Sequence, residues 1–175
     1  MQGRIRRREI LTIGAAAVAA STVACRSKTT GSAWRFFTAD EARTVDAICE
    51  QLIPADKDPG AREAAVVNFI DVQLATRLRR HRRTYREGIA EIDAKSHARF
   101  AKRFSDLSPE QAIDILTGIE ERSKAFFDLI LTHTRQGFYG DPRHGGNRNR
   151  VSWKMVGLPY PPVRGRQNYD PPKVG

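Results

Sequence analysis

The chain has 175 residues, 40% hydrophobic and 29% charged, with a net charge of +10 and a pI near 10.2. That length allows one domain of roughly 140 residues behind a targeting segment, enough to bury a core without covalent staples. There are two cysteines, Cys25 and Cys49, with no CxxC, no CxxCH for covalent haem and no metal-ligand cluster, and lipidation of Cys25 would leave no internal disulfide. The basic charge suits nucleic acid, an anionic membrane surface or an acidic protein equally, and does not choose among them.

The first stretch, RIRRREILTIGAAAVAASTVAC, has the three parts of an export signal: a basic start at Arg4 to Arg8, an apolar run from Ile10 to Ala20, then small residues. The apolar run is too short to span a bilayer, which takes roughly 20 residues. Arg7 and Arg8, followed by Glu9, Ile10 and Leu11, match the twin-arginine pattern; a general secretory signal is the alternative. Thr22-Val23-Ala24-Cys25 has the form of a lipobox, with Cys25 as the candidate lipidated residue, although Thr22 stands where an aliphatic residue is usual. Plain cleavage after Ala24 is the other reading. Loss of residues 1–24 removes four arginines and Glu9 and leaves a net charge of +7. Residues 25–35 read as a polar linker.

A helix is predicted from Thr38, an N-cap with Glu41 as its capping-box partner. Ala42, Val45, Ile48, Cys49 and Leu52 recur at helical spacing, and Pro54 ends the run. Cys49 on this apolar stripe reads as a buried structural cysteine. After the Pro59-Gly60 turn a second helix is expected over 61–79, with Val66, Phe69, Ile70, Leu74 and Leu78 inward. Asp56 and Asp58 before it lack the rest of a calcium loop.

A third helix is expected over 82–104, with Tyr85, Ile89, Ile92, Phe100 and Phe104 on its apolar face. Between Arg77 and Arg103 lie ten lysines or arginines and three acids. No aromatic interleaves them, and an exported context speaks against nucleic acid. A solvated face or contact with an acidic partner or lipid headgroups remains. Ser108, Pro109 and Gln111 open the next helix with a second capping box. Its pattern runs to about Gln136, with a break near Gly118, and Gly137 is the expected stop. The segment KAFFDLILTHT is apolar on more than one face, so this helix is central or meets a partner. The predicted fold class is all-α: a small helical bundle over 36–136 followed by an extended Gly/Pro-rich C-terminal arm over 137–175.

The residues offer no catalytic or metal set. His81, His97, His133 and His144 stand apart from one another and from cysteine at ligand spacing. His144 with Asp141 is a conceivable general base without a nucleophile. Gly145-Gly146 follows a helix and lacks both GxGxxG and a P-loop lysine, so a phosphate cradle is not indicated. No catalytic, cofactor-binding or metal residue is therefore assigned, and no nucleic-acid partner is expected.

Several segments together resemble subunit 3, the small or gamma subunit, of gluconate 2-dehydrogenase-type complexes. They are FFTADEARTVDAICEQLIP, DPGA, NFID at Asn68–Asp71, YREGIAEID at Tyr85–Asp93, FSDLSPEQ, AFFDLI and GFYGDPRHGGNRNRVSWKMVGLP at Gly137–Pro159. The likeness runs from about Phe36 to Pro162. It implies a non-catalytic subunit beside a glucose–methanol–choline-type flavoprotein that carries FAD and oxidises a sugar, sugar acid or alcohol. A multihaem cytochrome c, with haem c, commonly passes the electrons on. The small subunit in such systems supplies a twin-arginine signal for the folded pair, which gives a periplasmic location, with membrane contact through a lipid anchor if Cys25 is modified.

On either reading the arm invites a role as a clasp. Its glycines permit close backbone approach, and its prolines lower the entropy lost on docking. Phe138, Tyr139, Trp153 and Tyr160 are candidate anchors, with Gly145, Gly146 and Asn147 shaping the contact. The bland counterpart is an arm that covers the chain's own Phe-rich helix. The rival function is a stand-alone periplasmic lipoprotein that binds an acidic polymer or lipid through Arg77–Arg103.

Overall fold

The structure is a computed structural model that describes residues 33–158. Arg7, Arg8, Cys25 and Tyr160 lie outside the described residues. Within them the chain is all-α, with six α-helices joined by short 3-10 turns and no strand.

Helix α1, Ala39–Leu52, starts at the predicted capping box. The Glu41 N–H donates to Thr38 Oγ1 at 3.2 Å, and the Thr38 N–H donates to Glu41 Oε2 at 2.8 Å. Two orphan donors of the first turn are satisfied reciprocally, which fixes the start within a residue. The buried face of α1 is Ala42, Thr44, Val45, Ile48 and Cys49.

Helix α2, Val66–Ala75, is shorter at both ends than the sequence suggests. Residues 61–65 form a turn instead, closed by the Ala65 N–H on Arg62 O, and Ala65 takes a left-handed conformation at φ 55°. At the other end the Thr76 hydroxyl donates back to Val72 O at 2.7 Å, and a 3-10 turn Arg79–His81 follows. Seven of the ten α2 residues are buried, Asp71 and Gln73 among them, so α2 is the strut around which the others pack.

Helix α3, Arg82–Phe100, stops at Ala101, which is left-handed at φ 53°. Phe104 reaches the core from a separate 3-10 turn, Phe104–Asp106, and not from the end of α3. Helix α4, Pro109–Arg122, has the second capping box, with Ser108 and Gln111 bonded at 3.1 and 3.4 Å. The break before α5, Lys124–Tyr139, falls at Ser123 and not near Gly118. Ser123 leaves helical geometry and its hydroxyl donates to Glu91 on α3 at 2.5 Å. That change of direction lets Ile119 before it and Phe126 after it face one core.

Gly137 does not end α5. It lies inside the helix against Val66 and Phe69 of α2, and the stop comes at Gly140. The sequence cannot separate a glycine that ends a helix from one that lets two helices approach, and here packing decides.

The N-terminal strap, residues 33–37, is fastened chiefly through Asp71. The buried Asp71 carboxylate accepts the N–H groups of Arg35, Phe36 and Phe37 at 2.7, 2.9 and 3.0 Å. The Phe36 ring lies under the guanidinium groups of Arg82 and Arg86, at 5.3 and 4.4 Å from its centroid. Arg86 also donates to Phe36 O at 2.8 Å and pairs with Glu41.

Below the strap an aromatic column fills the core. Tyr85 is fully buried, meets Phe37 and Phe126, and stacks on His133 with ring planes 4° apart. The Tyr85 hydroxyl bonds His133 Nδ1 at 2.9 Å, and Cys49 Sγ lies 3.3 Å from Thr134 Oγ1. Burial pushes the Cys49 thiol up to about 12, so it stays an inert thiol.

Burial, reinforced by His81 and Arg80, lowers the His133 pKa from 6.5 to about 4. The folded ring therefore stays neutral while the unfolded one takes up a proton as pH falls through 6.5. Stability contributed here is fully present above pH 6.5 and is lost as pH falls toward 4. We expect a loss of about 2 kcal/mol over that window, solvent screening allowed for. His133→Gln should flatten it in melts compared at pH 7 and pH 4.5. Equal slopes for the two proteins would refute the assignment.

Candidate partner-docking surface

Residues 140–158 do not run straight out from the bundle. They form two 3-10 turns, Pro142–His144 and Arg148–Arg150, and a five-residue helix α6, Val151–Met155, folded back on the end of α5. Asp141 caps the first turn by accepting the Arg143 N–H at 3.0 Å, with Pro142 at its first position. Gly145 then turns the chain at φ +100° beside the backbone of Asn68 and Phe69. At Gly146 two backbones touch: a Cβ there would sit 2.2 Å from Gly137 O. Only glycine permits this approach.

Asn147 locks the return. Its side-chain amide donates to Gly140 O at 2.9 Å, and its Oδ1 accepts the Ser152 N–H at 3.1 Å. The Ser152 hydroxyl donates to Phe138 O at 2.6 Å, and Trp153 Nε1 donates to Tyr139 O at 2.9 Å. The Arg148 N–H reaches Ala64 O at 3.0 Å, so the arm is tied to the turn before α2 as well.

The candidate contact residues separate accordingly. Phe138, Gly146 and Asn147 are buried in the chain's own fold, and Gly145 is half-buried. Tyr139 is exposed, and Trp153 is half-buried with its ring nitrogen bonded at the end of α5. Tyr139, at the end of α5, was among the sequence candidates, but the sequence reading missed Met155 at the end of α6 and Val156 and Leu158 just after it. Tyr139, Met155, Val156 and Leu158 are 54%, 39%, 61% and 56% exposed, and Ile113 on α4 is the only other exposed large hydrophobe among the described residues. The signal was the apolar run Met155-Val156-Gly157-Leu158, which begins at the last residue of α6 and leaves the helix.

Beside Tyr139 lies a groove of about 450 Å³ lined by Phe69, Gln73, Arg77, Gln136, Gly140 and His144. Its walls are mostly apolar with a basic corner. Asp141 and His144 do not form a base and its orienting carboxylate. Asp141 pairs with Arg143 at 3.3 Å, and His144 Nε2 accepts from Arg143 Nε at 3.3 Å. Among the described residues no three His, Cys, Asp or Glu side chains are grouped to hold a metal.

The basic stretch is largely committed within the fold. Arg79 and Arg82 donate to carbonyls at the end of α2. Arg83, Arg86, Lys95, Arg99 and Arg103 pair with Glu87, Glu41, Glu91, Asp114 and Asp40. These exposed pairs contribute little to stability each, but they neutralise the charge that a polyanion would read.

A family model described as gluconate 2-dehydrogenase subunit 3 matches residues 39–159. No curated protein and no solved structure matches.

Proposed function

The chain belongs to the gluconate 2-dehydrogenase subunit 3 family, and from that premise we propose that it is a non-catalytic escort and structural partner of a periplasmic FAD-dependent dehydrogenase subunit. The observation that carries this reading is the C-terminal arm. Its glycines and Asn147 hold α6 in place, and Met155 at the end of α6, Val156 and Leu158 just after it, and Tyr139 at the end of α5 are left exposed. A fold that fixes the arm so firmly and leaves apolar residues at its end uncovered is suited to binding another protein.

The catalytic partner is a glucose–methanol–choline-type flavoprotein that oxidises a sugar, sugar acid or alcohol and brings the FAD. A multihaem cytochrome c is the natural electron acceptor of such a pair. Arg7 and Arg8 would send the folded pair through the twin-arginine route, and Cys25 would anchor it to a membrane. The rival reading, a lipoprotein that binds an acidic polymer through Arg77–Arg103, draws less support, because eight of those ten basic side chains have partners in the fold.

The test is capture of tagged full-length protein from its native periplasm, with flavin absorbance and mass spectrometry on what elutes. We expect a flavoprotein in stoichiometric amount, and its loss from the periplasm when Arg7 and Arg8 are both changed to lysine. A colourless monomer at low salt, with the flavoprotein exported regardless of Arg7 and Arg8, would refute the proposal.

A further inference from the structure

We infer that Tyr139, Met155, Val156 and Leu158, together with the groove beside Tyr139, form the face on which the flavin-carrying subunit sits, and that the partner meets it with an apolar centre edged by aspartate and glutamate. This inference rests on the function proposed above and adds to it a location and a partner chemistry.

Location follows from where apolar surface is left. Four of the five exposed large hydrophobes among the described residues belong to the end of α5 and to α6 with its following turn. Trp153 fastens that turn to α5 through Tyr139 O, so the four side chains belong to one rigid corner. Pinning them in advance reduces the ordering cost of binding. Large side chains with an adjoining groove are what the centre of a protein interface needs.

Partner chemistry follows from charge. Residues 135–158 contain five lysines or arginines and one acid, Asp141. Asp141 is already paired with Arg143. Arg77 lines the groove, Arg135 stands one helical turn from Tyr139 on the same face of α5, and Lys154 lies beside Met155 on α6. A basic rim around an apolar centre favours an acidic rim opposite and repels a second copy of the same face. In sequence, the residues after Leu158 add Arg164, Arg166 and Lys173 against Asp170 alone, which extends the same basic character.

The experiment uses the full chain co-expressed with the FAD subunit and read by co-purification at defined salt. Val156→Asp/Leu158→Asp should weaken capture at least tenfold, and Arg135→Glu/Lys154→Glu should weaken it and remove most of its salt dependence. Ile113→Asp, on α4, should capture like wild type. Circular dichroism melts of each variant alone keep folding separate from binding, and both residues of the charge-reversed pair are exposed. Undiminished capture by both double variants overturns this face while leaving the proposed function intact. A wild-type chain that captures no flavoprotein overturns both. A wild-type dimer made monomeric by Val156→Asp/Leu158→Asp without loss of capture assigns the face to a second copy and overturns the inference.

Discussion

Asp71→Ala is expected to destabilise the chain by about 4 kcal/mol, enough to lower the melting temperature by roughly 12 °C. One carboxylate accepts three consecutive backbone N–H groups, and the last of them, at Phe37, is buried. Alanine removes the acceptor of the buried Phe37 N–H, which costs about 1–3 kcal/mol by itself. The donors at Arg35 and Phe36 lie nearer solvent and recover part of their loss. Release of the strap then removes Phe36 from Arg82 and Arg86 and uncovers Tyr85 beneath Phe37. Asp71→Asn should fall between wild type and Asp71→Ala, because the amide oxygen still accepts while the amide nitrogen faces donors. Chemical denaturation of the two variants measures both steps. An Asp71→Ala protein within about 1 kcal/mol of wild type, no more than a single exposed hydrogen bond contributes, would show that the strap does not hold the fold together.

Gly146→Ala is expected to cost about 3 kcal/mol, near the upper end for overpacking. The added methyl would lie 2.2 Å from Gly137 O, 2.9 Å from its carbonyl carbon and 3.0 Å from its Cα. All three are backbone atoms inside α5, so no side-chain rotation relieves the clash. The arm must lift, and with it go the Asn147 bonds to Gly140 and Ser152 and the Trp153 bond to Tyr139. Gly157→Ala is the matched control. Nothing lies within 4 Å of its new methyl, and only the positive φ of 66° opposes it, which costs about 1 kcal/mol. Tryptophan fluorescence followed through denaturation should show a separate early transition in Gly146→Ala alone. Equal stabilities for the two variants would mean that the backbone contact is not needed to hold the arm.

How much of this was legible in the sequence depended on the range of each interaction. Both capping boxes link residues three apart, so Thr38 and Ser108 announced their helices correctly. The apolar stripes of α1 and α3 were equally plain, since Ala42, Val45, Ile48, Tyr85, Ile89 and Ile92 all reach the core. The ends of α2 and α3 were not legible, because Ala65 and Ala101 are good helix formers that tertiary packing holds in left-handed geometry. The folded-back shape of the arm was hidden for the same reason. Its glycines stand out in the sequence, but the partner of Gly146 is Gly137, inside the preceding helix, and local pattern does not name such a partner. Asp71 carries no local sign of its role either, since three donors thirty-odd residues away leave no periodic trace.

The docking of strap and arm around α2 has a consequence in time. The strap at residues 35–37 is fastened to Asp71, and Gly145 and Arg148 close on Asn68, Phe69 and Ala64 around the same helix. During synthesis α2 emerges with its first neighbour already made and its last one still unmade. A nascent chain can gather α1 to α5, yet the side of α2 that receives the arm stays open until the arm itself has left the ribosome. The bundle therefore spends the whole translation of α3 to α5 with that side bare, and contacts this distant in sequence are slow to close.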